Sequence, residues 1–222
     1  MDIKRILAAC DHTLLSQDAT EKDILNLCDD AIKYGTASVC IPPCYVKAAK
    51  DYVGEKMKIC TVIGFPLGYQ KTSLKVMETK EAVRDGADEI DMVINVGYLK
   101  DKRYDSVLEE IKAVRSECEG KILKVIIETC LLSDEEKKIM CQTVGKAGAD
   151  FIKTSTGFSH GGATVEDIKL FRENVPDGLR IKAAGGIKTL LDAEEFLRLG
   201  AERLGTSKIV KIVKSEKDTS GY

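Results

Sequence analysis

Lys153 and Lys182 stand 29 residues apart, each inside a short apolar run, and Asp91 lies in a third run, Glu89-Ile90-Asp91-Met92-Val93-Ile94-Asn95. In strands, alternate residues share a face. Glu89, Asp91, Val93 and Asn95 then point one way, while Ile90, Met92 and Ile94 point the other. In Leu123 to Glu128 the residues Lys124, Ile126 and Glu128 oppose Val125 and Ile127. Phe151, Lys153 and Ser155 share a face, as do Lys182 and Ala184. Two ammonium groups held close in a partly desolvated site disfavour each other's charge, which lowers a lysine pKa from about 10.4 toward neutrality. A neutral amine is a nucleophile that forms a Schiff base with a carbonyl compound. A buried charge more often belongs to a packing ion pair, and Glu89 with Lys124 is read that way. Two like charges make a poor packing device, so Lys153 and Lys182 are read as chemistry.

Two glycine-bearing segments supply the other candidate site. Gly185-Gly186-Ile187 and Gly205-Thr206-Ser207 follow the last two apolar runs. Bare backbone N–H groups beside a helix N-terminus bind phosphate, and in barrel enzymes the loops after strands seven and eight do so. His12 and His160 are given no catalytic role.

The elements that must carry these residues recur eight times. Strands are expected at Ile6 to Ala9, Ser38 to Ile41, Lys58 to Ile63, Glu89 to Asn95, Leu123 to Glu128, Phe151 to Ser155, Arg180 to Ala184 and Arg203 to Gly205. Helices separate them, with start signals at Thr20, Ser133 and Thr164 and glycine stops at Gly35, Gly86, Gly148 and Gly200. Strict alternation implies a parallel sheet with right-handed crossovers. Eight units favour a closed barrel over an open sheet, and Cys10-Asp11-His12-Thr13, after the first expected strand, lacks the glycines of a dinucleotide fingerprint. The expected fold is a single α/β domain, a (β/α)8 TIM barrel over 1–214, with a flexible tail over 215–222. The length, 222 residues, leaves no room for a second domain.

Composition narrows the partners. Against 34 Lys plus Arg stand 36 Asp plus Glu, a net charge of −2, so no broad basic surface for nucleic acid or anionic lipid is expected. Hydrophobic residues at 44% and charged residues at 32% describe an ordinary soluble domain without a membrane span. The N-terminal residues reach a charge before a signal-peptide core could form, so a cytoplasmic location is expected. The eight cysteines contain no CxxC and are expected to be reduced core thiols. With two histidines, a four-ligand zinc site would need distant partners, so no metal is expected. A homodimer is left open.

The motifs Glu89 to Asn95, Lys124-Val125-Ile126-Ile127-Glu128-Thr129, Asp150-Phe151-Ile152-Lys153-Thr154-Ser155-Thr156-Gly157 and Ile181-Lys182-Ala183-Ala184-Gly185-Gly186-Ile187 resemble the deoxyribose-phosphate aldolase family, over nearly the whole chain. The resemblance implies a cofactor-free, metal-free lyase that reversibly cleaves 2-deoxy-D-ribose 5-phosphate to D-glyceraldehyde 3-phosphate and acetaldehyde. It implies Lys153 as the Schiff-base lysine, Lys182 as the lysine that perturbs it and joins the proton relay, and Asp91 as proton donor and acceptor. Gly185, Gly186, Gly205, Thr206 and Ser207 would hold the sugar phosphate. Lys208 departs from the small residue expected there. Tyr222, behind Gly221, is a candidate to fold over the barrel mouth and assist protonation. Two rivals are another lysine-dependent, phosphate-binding barrel enzyme, such as a pyridoxal-phosphate enzyme, and a non-catalytic sugar-phosphate-binding protein.

Overall fold

Eight parallel strands pair in chain order: β1 (Cys10–Thr13), β2 (Ser38–Ile41), β3 (Ile59–Ile63), β4 (Glu89–Val93), β5 (Ile122–Ile126), β6 (Phe151–Lys153), β7 (Arg180–Ala184) and β8 (Arg203–Thr206). β8 then pairs with β1 and closes the barrel. The computed structural model describes residues 1–219. Among them no helix is long and apolar enough to cross a membrane. The helices fill the outer ring.

The two faces of the barrel strands have different chemistry. Ile90, Met92, Ile94, Val125, Ile127, Ile152, Ile181 and Ala183 are buried in one large hydrophobic cluster that extends into the helices. Full burial of each larger aliphatic side chain contributes about 1.5–3 kcal/mol, so this outer layer carries the stability. The opposite parity faces inward, and there the apolar cluster shrinks to Cys40, Cys60 and Val62, with Leu15 and Phe65 against it.

Local signals set the helix boundaries. Thr20 with Asp23 and Ser133 with Glu136 form reciprocal capping boxes, and Thr164 accepts from the Asp167 N–H. Gly35 and Gly200 close their helices in the left-handed region that glycine adopts without penalty. A third capping box, Thr189 with Asp192, starts the helix Leu190–Leu199.

Only β2 and β7 have the expected bounds; β3 and β8 shift by one residue, β5 and β6 end two residues early at Ile126 and Lys153, and three differences change the reading. Ile6 to Ala9 is not a strand: Asp2 caps a short helix, Ile3–Ala8, whose Ile6 and Leu7 are buried, and β1 starts at Cys10. Four apolar residues in a row fit either element, and the cap decides. Asn95 lies beyond β4, where its side chain caps the helix Val96–Lys100. The last helix, Ile209–Thr219, carries regular structure past residue 215, where a tail was expected. Tyr222 lies outside the described residues.

The end of β4, which carries Asp91, is held from outside the barrel by a buried ion pair. Lys75 and Glu110, on the helices Thr72–Arg84 and Tyr104–Glu117, meet at 3.0 Å with neither side chain exposed. Lys75 donates to the Val93 carbonyl at 2.8 Å, and Glu110 accepts from the Asn95 N–H at 3.1 Å. Burial pushes the Lys75 ammonium down and the Glu110 carboxyl up, so each charge depends on the other. Glu110→Ala strands a buried ammonium and is expected to lower the unfolding free energy by about 3–5 kcal/mol, measured by urea unfolding. A loss near that of an exposed ion pair, below about 1 kcal/mol, would contradict this account.

Candidate active site

The inward charges form one connected network. The Asp91 Oδ2 atom accepts from the Nζ of Lys153 and of Lys182, both at 2.7 Å, and Oδ1 accepts from Lys124 at 2.8 Å. Lys182 also binds Asp11, and Lys124 reaches Glu89 at 2.5 Å. Below them Arg203 bridges Asp11 at 2.5 Å and Glu89 at 3.0 Å, while Ser38 donates to Asp11 at 2.7 Å. Strand register makes this possible. Asp91 stands opposite Lys124, Lys153 opposite Lys182, and Lys182 opposite Arg203.

Burial alone would push both carboxyls up. Lys124, Lys153 and Lys182 overcome that at Asp91 and hold it well below the usual carboxylate range. At Asp11 burial is likewise overcome by Lys182, Lys124 and Arg203. Burial opposes the Lys182 ammonium, yet Asp11 and Asp91 hold it above the ordinary lysine value. The expected mutual weakening of the two lysines therefore does not describe Lys182, because Asp91 lies between the two ammonium groups and Asp11 binds Lys182 as well. Lys182 is a charged lysine. Lys153 has one carboxylate partner, whereas Lys182 has two and Lys124 three.

The five expected phosphate residues, Gly185, Gly186, Gly205, Thr206 and Ser207, come together on a cleft of about 530 Å³, with Thr156, Lys188, Lys208 and Lys211 on its walls. Gly185 and Gly186 both have left-handed backbones, at φ +76° and +77°. Gly205 has a second reason to be glycine: a Cβ there would meet Ala184 Cβ at 2.9 Å and Lys182 Cε at 3.2 Å. The Thr206 hydroxyl is already engaged, donating to the Ile187 carbonyl and accepting from the Lys208 N–H.

The loop after β6 is tied to its neighbours on both sides. Glu128 adopts a left-handed backbone (φ +55°), and its carboxylate accepts from the Thr156 N–H at 3.2 Å and the Thr156 hydroxyl at 2.5 Å. On the other side, the Ala163 N–H donates to the Ala184 and Gly185 carbonyls. A Cβ on Gly162 would stand 2.5 Å from the Gly185 carbonyl carbon, so the two backbones touch. Ser155, fully buried beyond Lys153, has a hydroxyl with no hydrogen-bond partner among the described residues.

Sequence reasoning missed Asp11 and Arg203 as members of the network. Asp11 was hidden by the misplaced first strand, and its signal was the parity of Cys10-Asp11-His12-Thr13 itself. Glu89 with Lys124 is an ion pair as expected, joined to the larger network. The cysteines are all free, but Cys44 is exposed and Cys130 half-buried, so these two are not core thiols. Cys40, Cys60 and Asp91 form one group whose ligand-type atoms lie within 4.8 Å, and Asp11, Cys60 and Glu89 form another. A divalent cation at either would have to displace the ammonium or guanidinium groups already on those carboxylates.

The charge network has a defined pH signature. Asp11 and Asp91 have lowered native values, so their stabilisation is present above the unfolded carboxylate value of about 3.9 and is lost as pH falls through the native values. Lys124 and Lys182 are raised, so theirs is present below about 10.4 and is lost as pH rises through the native values. The network's contribution to the thermal midpoint is expected to be constant between these limits and to fall outside them. Asp11→Asn should flatten the acid limb in a pH series of melting curves.

A family model described as DeoC/LacD family aldolase matches residues 5–204. A deoxyribose-phosphate aldolase of Clostridioides difficile (strain 630) is 56% identical over 99% of this chain and 100% of the relative. Among solved structures, the aldolase QR15 superposes with a TM-score of 0.91 at 40% identity, covering 97% of each chain. The tetrameric deoxyribose phosphate aldolase of Aeropyrum pernix superposes with a TM-score of 0.87 at 32% identity, covering 98% of this chain and 93% of that one. With a closed eight-stranded barrel, a family model matched over residues 5–204 and a relative 56% identical over 99% of the chain, this protein belongs to the DeoC/LacD aldolase family.

Proposed function

We propose that this chain is a class I deoxyribose-phosphate aldolase that uses Lys153 as its Schiff-base nucleophile. The observation that carries this reading is the shared carboxylate: Lys153 and Lys182 both bind Asp91 Oδ2, next to a glycine-lined, lysine-walled cleft. Lys182 is the fixed cation. Lys153 is the amine with the fewest anionic partners and the one whose proton leaves with the smallest loss of contacts.

The neutral Lys153 nitrogen attacks the aldehyde carbon of open-chain 2-deoxyribose 5-phosphate. Asp91 and Lys182 move protons to and from the resulting carbinolamine, which loses water to give the iminium. Removal of the proton from the C3 hydroxyl breaks the C2–C3 bond, the electron pair passes into the iminium, and glyceraldehyde 3-phosphate leaves. The remaining enamine on Lys153 is protonated at its terminal carbon and hydrolysed, releasing acetaldehyde and the free lysine. The Gly185, Gly186, Gly205, Thr206 and Ser207 backbone, with the Ser207 hydroxyl, receives the phosphate. Lys188, Lys208 and Lys211 supply positive charge around it. The unpartnered Ser155 hydroxyl is available to a substrate hydroxyl.

Borohydride trapping in the presence of deoxyribose 5-phosphate, followed by peptide mass mapping, tests the nucleophile. The adduct is expected on the peptide bearing Lys153, and Lys153→Ala should lose activity by more than about a thousandfold while retaining its circular dichroism. An adduct on Lys182 in the wild type would overturn the assignment. In the same assay Lys182→Leu should move adduct formation to higher pH, because Lys153 then has Asp91 Oδ2 to itself and one cation fewer beside it. An unmoved pH profile would remove the electrostatic role.

The phosphate site makes a separate demand. Lys208→Glu puts a negative charge on the cleft wall and should raise KM for the phosphorylated sugar by roughly tenfold, about 1.4 kcal/mol, while sparing unphosphorylated deoxyribose. Equal changes for both sugars would take Lys208 out of the phosphate site.

A further inference from the structure

Inside the barrel, next to the network but unused by the chemistry above, two cysteines face each other. Cys40 on β2 and Cys60 on β3 are paired in strand register, and both are buried. Their sulfurs and an Asp91 oxygen all lie within 4.8 Å of one another. Paired strands run roughly 4.7–4.9 Å apart, within the roughly 4.4–6.8 Å between Cα atoms that a disulfide spans. Two thiols on the inward face of a closed barrel therefore need only a small rotation to bond. Cys60 donates to Asp91 Oδ1 at 3.2 Å and accepts from Lys124 at 3.3 Å. Leu15, packed against the cluster that Cys40 and Cys60 form with Val62, also lines the substrate cleft, so only one side-chain layer separates the cluster from that cleft.

We propose that Cys40 and Cys60 are an oxidative modification site, a thiol pair that a hydroperoxide converts to a reversible disulfide. The Cys40 sulfur attacks one peroxide oxygen, the O–O bond breaks, and the departing hydroxide takes up the thiol proton as water. Cys40 is left as a sulfenic acid. The Cys60 sulfur then attacks the Cys40 sulfur, its proton passing by way of Asp91 to the leaving hydroxyl, which departs as a second water. Two thiols lose two electrons in all, and one hydrogen peroxide becomes two waters.

The environments of the two sulfurs match these roles. The Cys60 thiol as hydrogen-bond partner, helped by Lys182 and Lys153, holds Cys40 below its ordinary value despite burial, whereas burial pushes Cys60 well up. The Cys60 thiol proton is held by Asp91, which makes Cys60 the resolving sulfur and Cys40 the attacking one. Formation of the disulfide removes the thiol donor from Asp91, so the catalytic carboxylate changes its surroundings in step with oxidation.

The test treats the wild-type enzyme with hydrogen peroxide and maps its peptides without reduction. A cross-linked pair containing Cys40 and Cys60, lighter by two hydrogens than its parts, is expected, with most activity lost and then restored by dithiothreitol. In Cys60→Ala the sulfenic acid has no resolving partner, so Cys40 should advance to the sulfinic acid, which dithiothreitol does not reduce. Oxidation confined to the exposed Cys44 and half-buried Cys130, without a Cys40–Cys60 peptide, would overturn the proposal. The cross-link is read by mass and is independent of the aldolase reading, whose failure would show in the borohydride adduct instead.

Discussion

Charge balance inside a closed barrel is the constraint on which the other features depend. Taking an ion out of water costs several kcal/mol even after relaxation, and the attraction between partners offsets this only when geometry and hydrogen bonds are good. Here Asp11, Glu89 and Asp91 face Lys124, Lys153, Lys182 and Arg203. Three carboxylates against four cations leave one cation in excess. Each carboxylate of the network is therefore shared by more than one cation, and Lys153 is the lysine that holds the fewest of them.

That arrangement requires the barrel to close. The network draws on β1, β4, β5, β6, β7 and β8, and the Lys182 contact to Asp11 joins residues 171 positions apart. An open sheet would leave these strands at opposite edges. The apolar outer layer holds the cylinder shut, and this frees the inner layer from having to be a hydrophobic core. Stability and chemistry are thus assigned to alternate residues of the same strands, a division that the period of two in a β-strand makes available.

The same alternation explains what could be read without coordinates. β2 and β7 have the expected bounds because Val39, Ile41, Ile181 and Ala183 mark their outward faces, and the outward set Ile90, Met92 and Ile94 betrays the inward set of β4 by difference. Capping side chains at Thr20, Ser133 and Thr164 are local chemistry and survive folding unchanged. β1 was misplaced because a strand with a charged inward face and a short apolar stretch before it looks like a loop after a strand. Lys153 and Lys182 stood out as inward lysines one repeat apart, but the carboxylates between them come from β1 and β4, and pair reasoning on two lysines cannot anticipate them. Gly205 was read as a bare amide for an anion, and the space it clears for the Lys182 stem becomes visible only when β7 and β8 lie side by side.

The touching backbones at Gly162 and Gly185 have a consequence for which sugars fit. One loop follows the strand of Lys153 and the other carries Gly185 and Gly186, and the two are joined main chain to main chain with no side chain between them. The span from amine to anion site is thereby a ruler cast in main chain. On the proposed reading, such a ruler measures the number of carbons between the aldehyde that Lys153 attacks and the phosphate, so sugar length is read by the spacing of main chain.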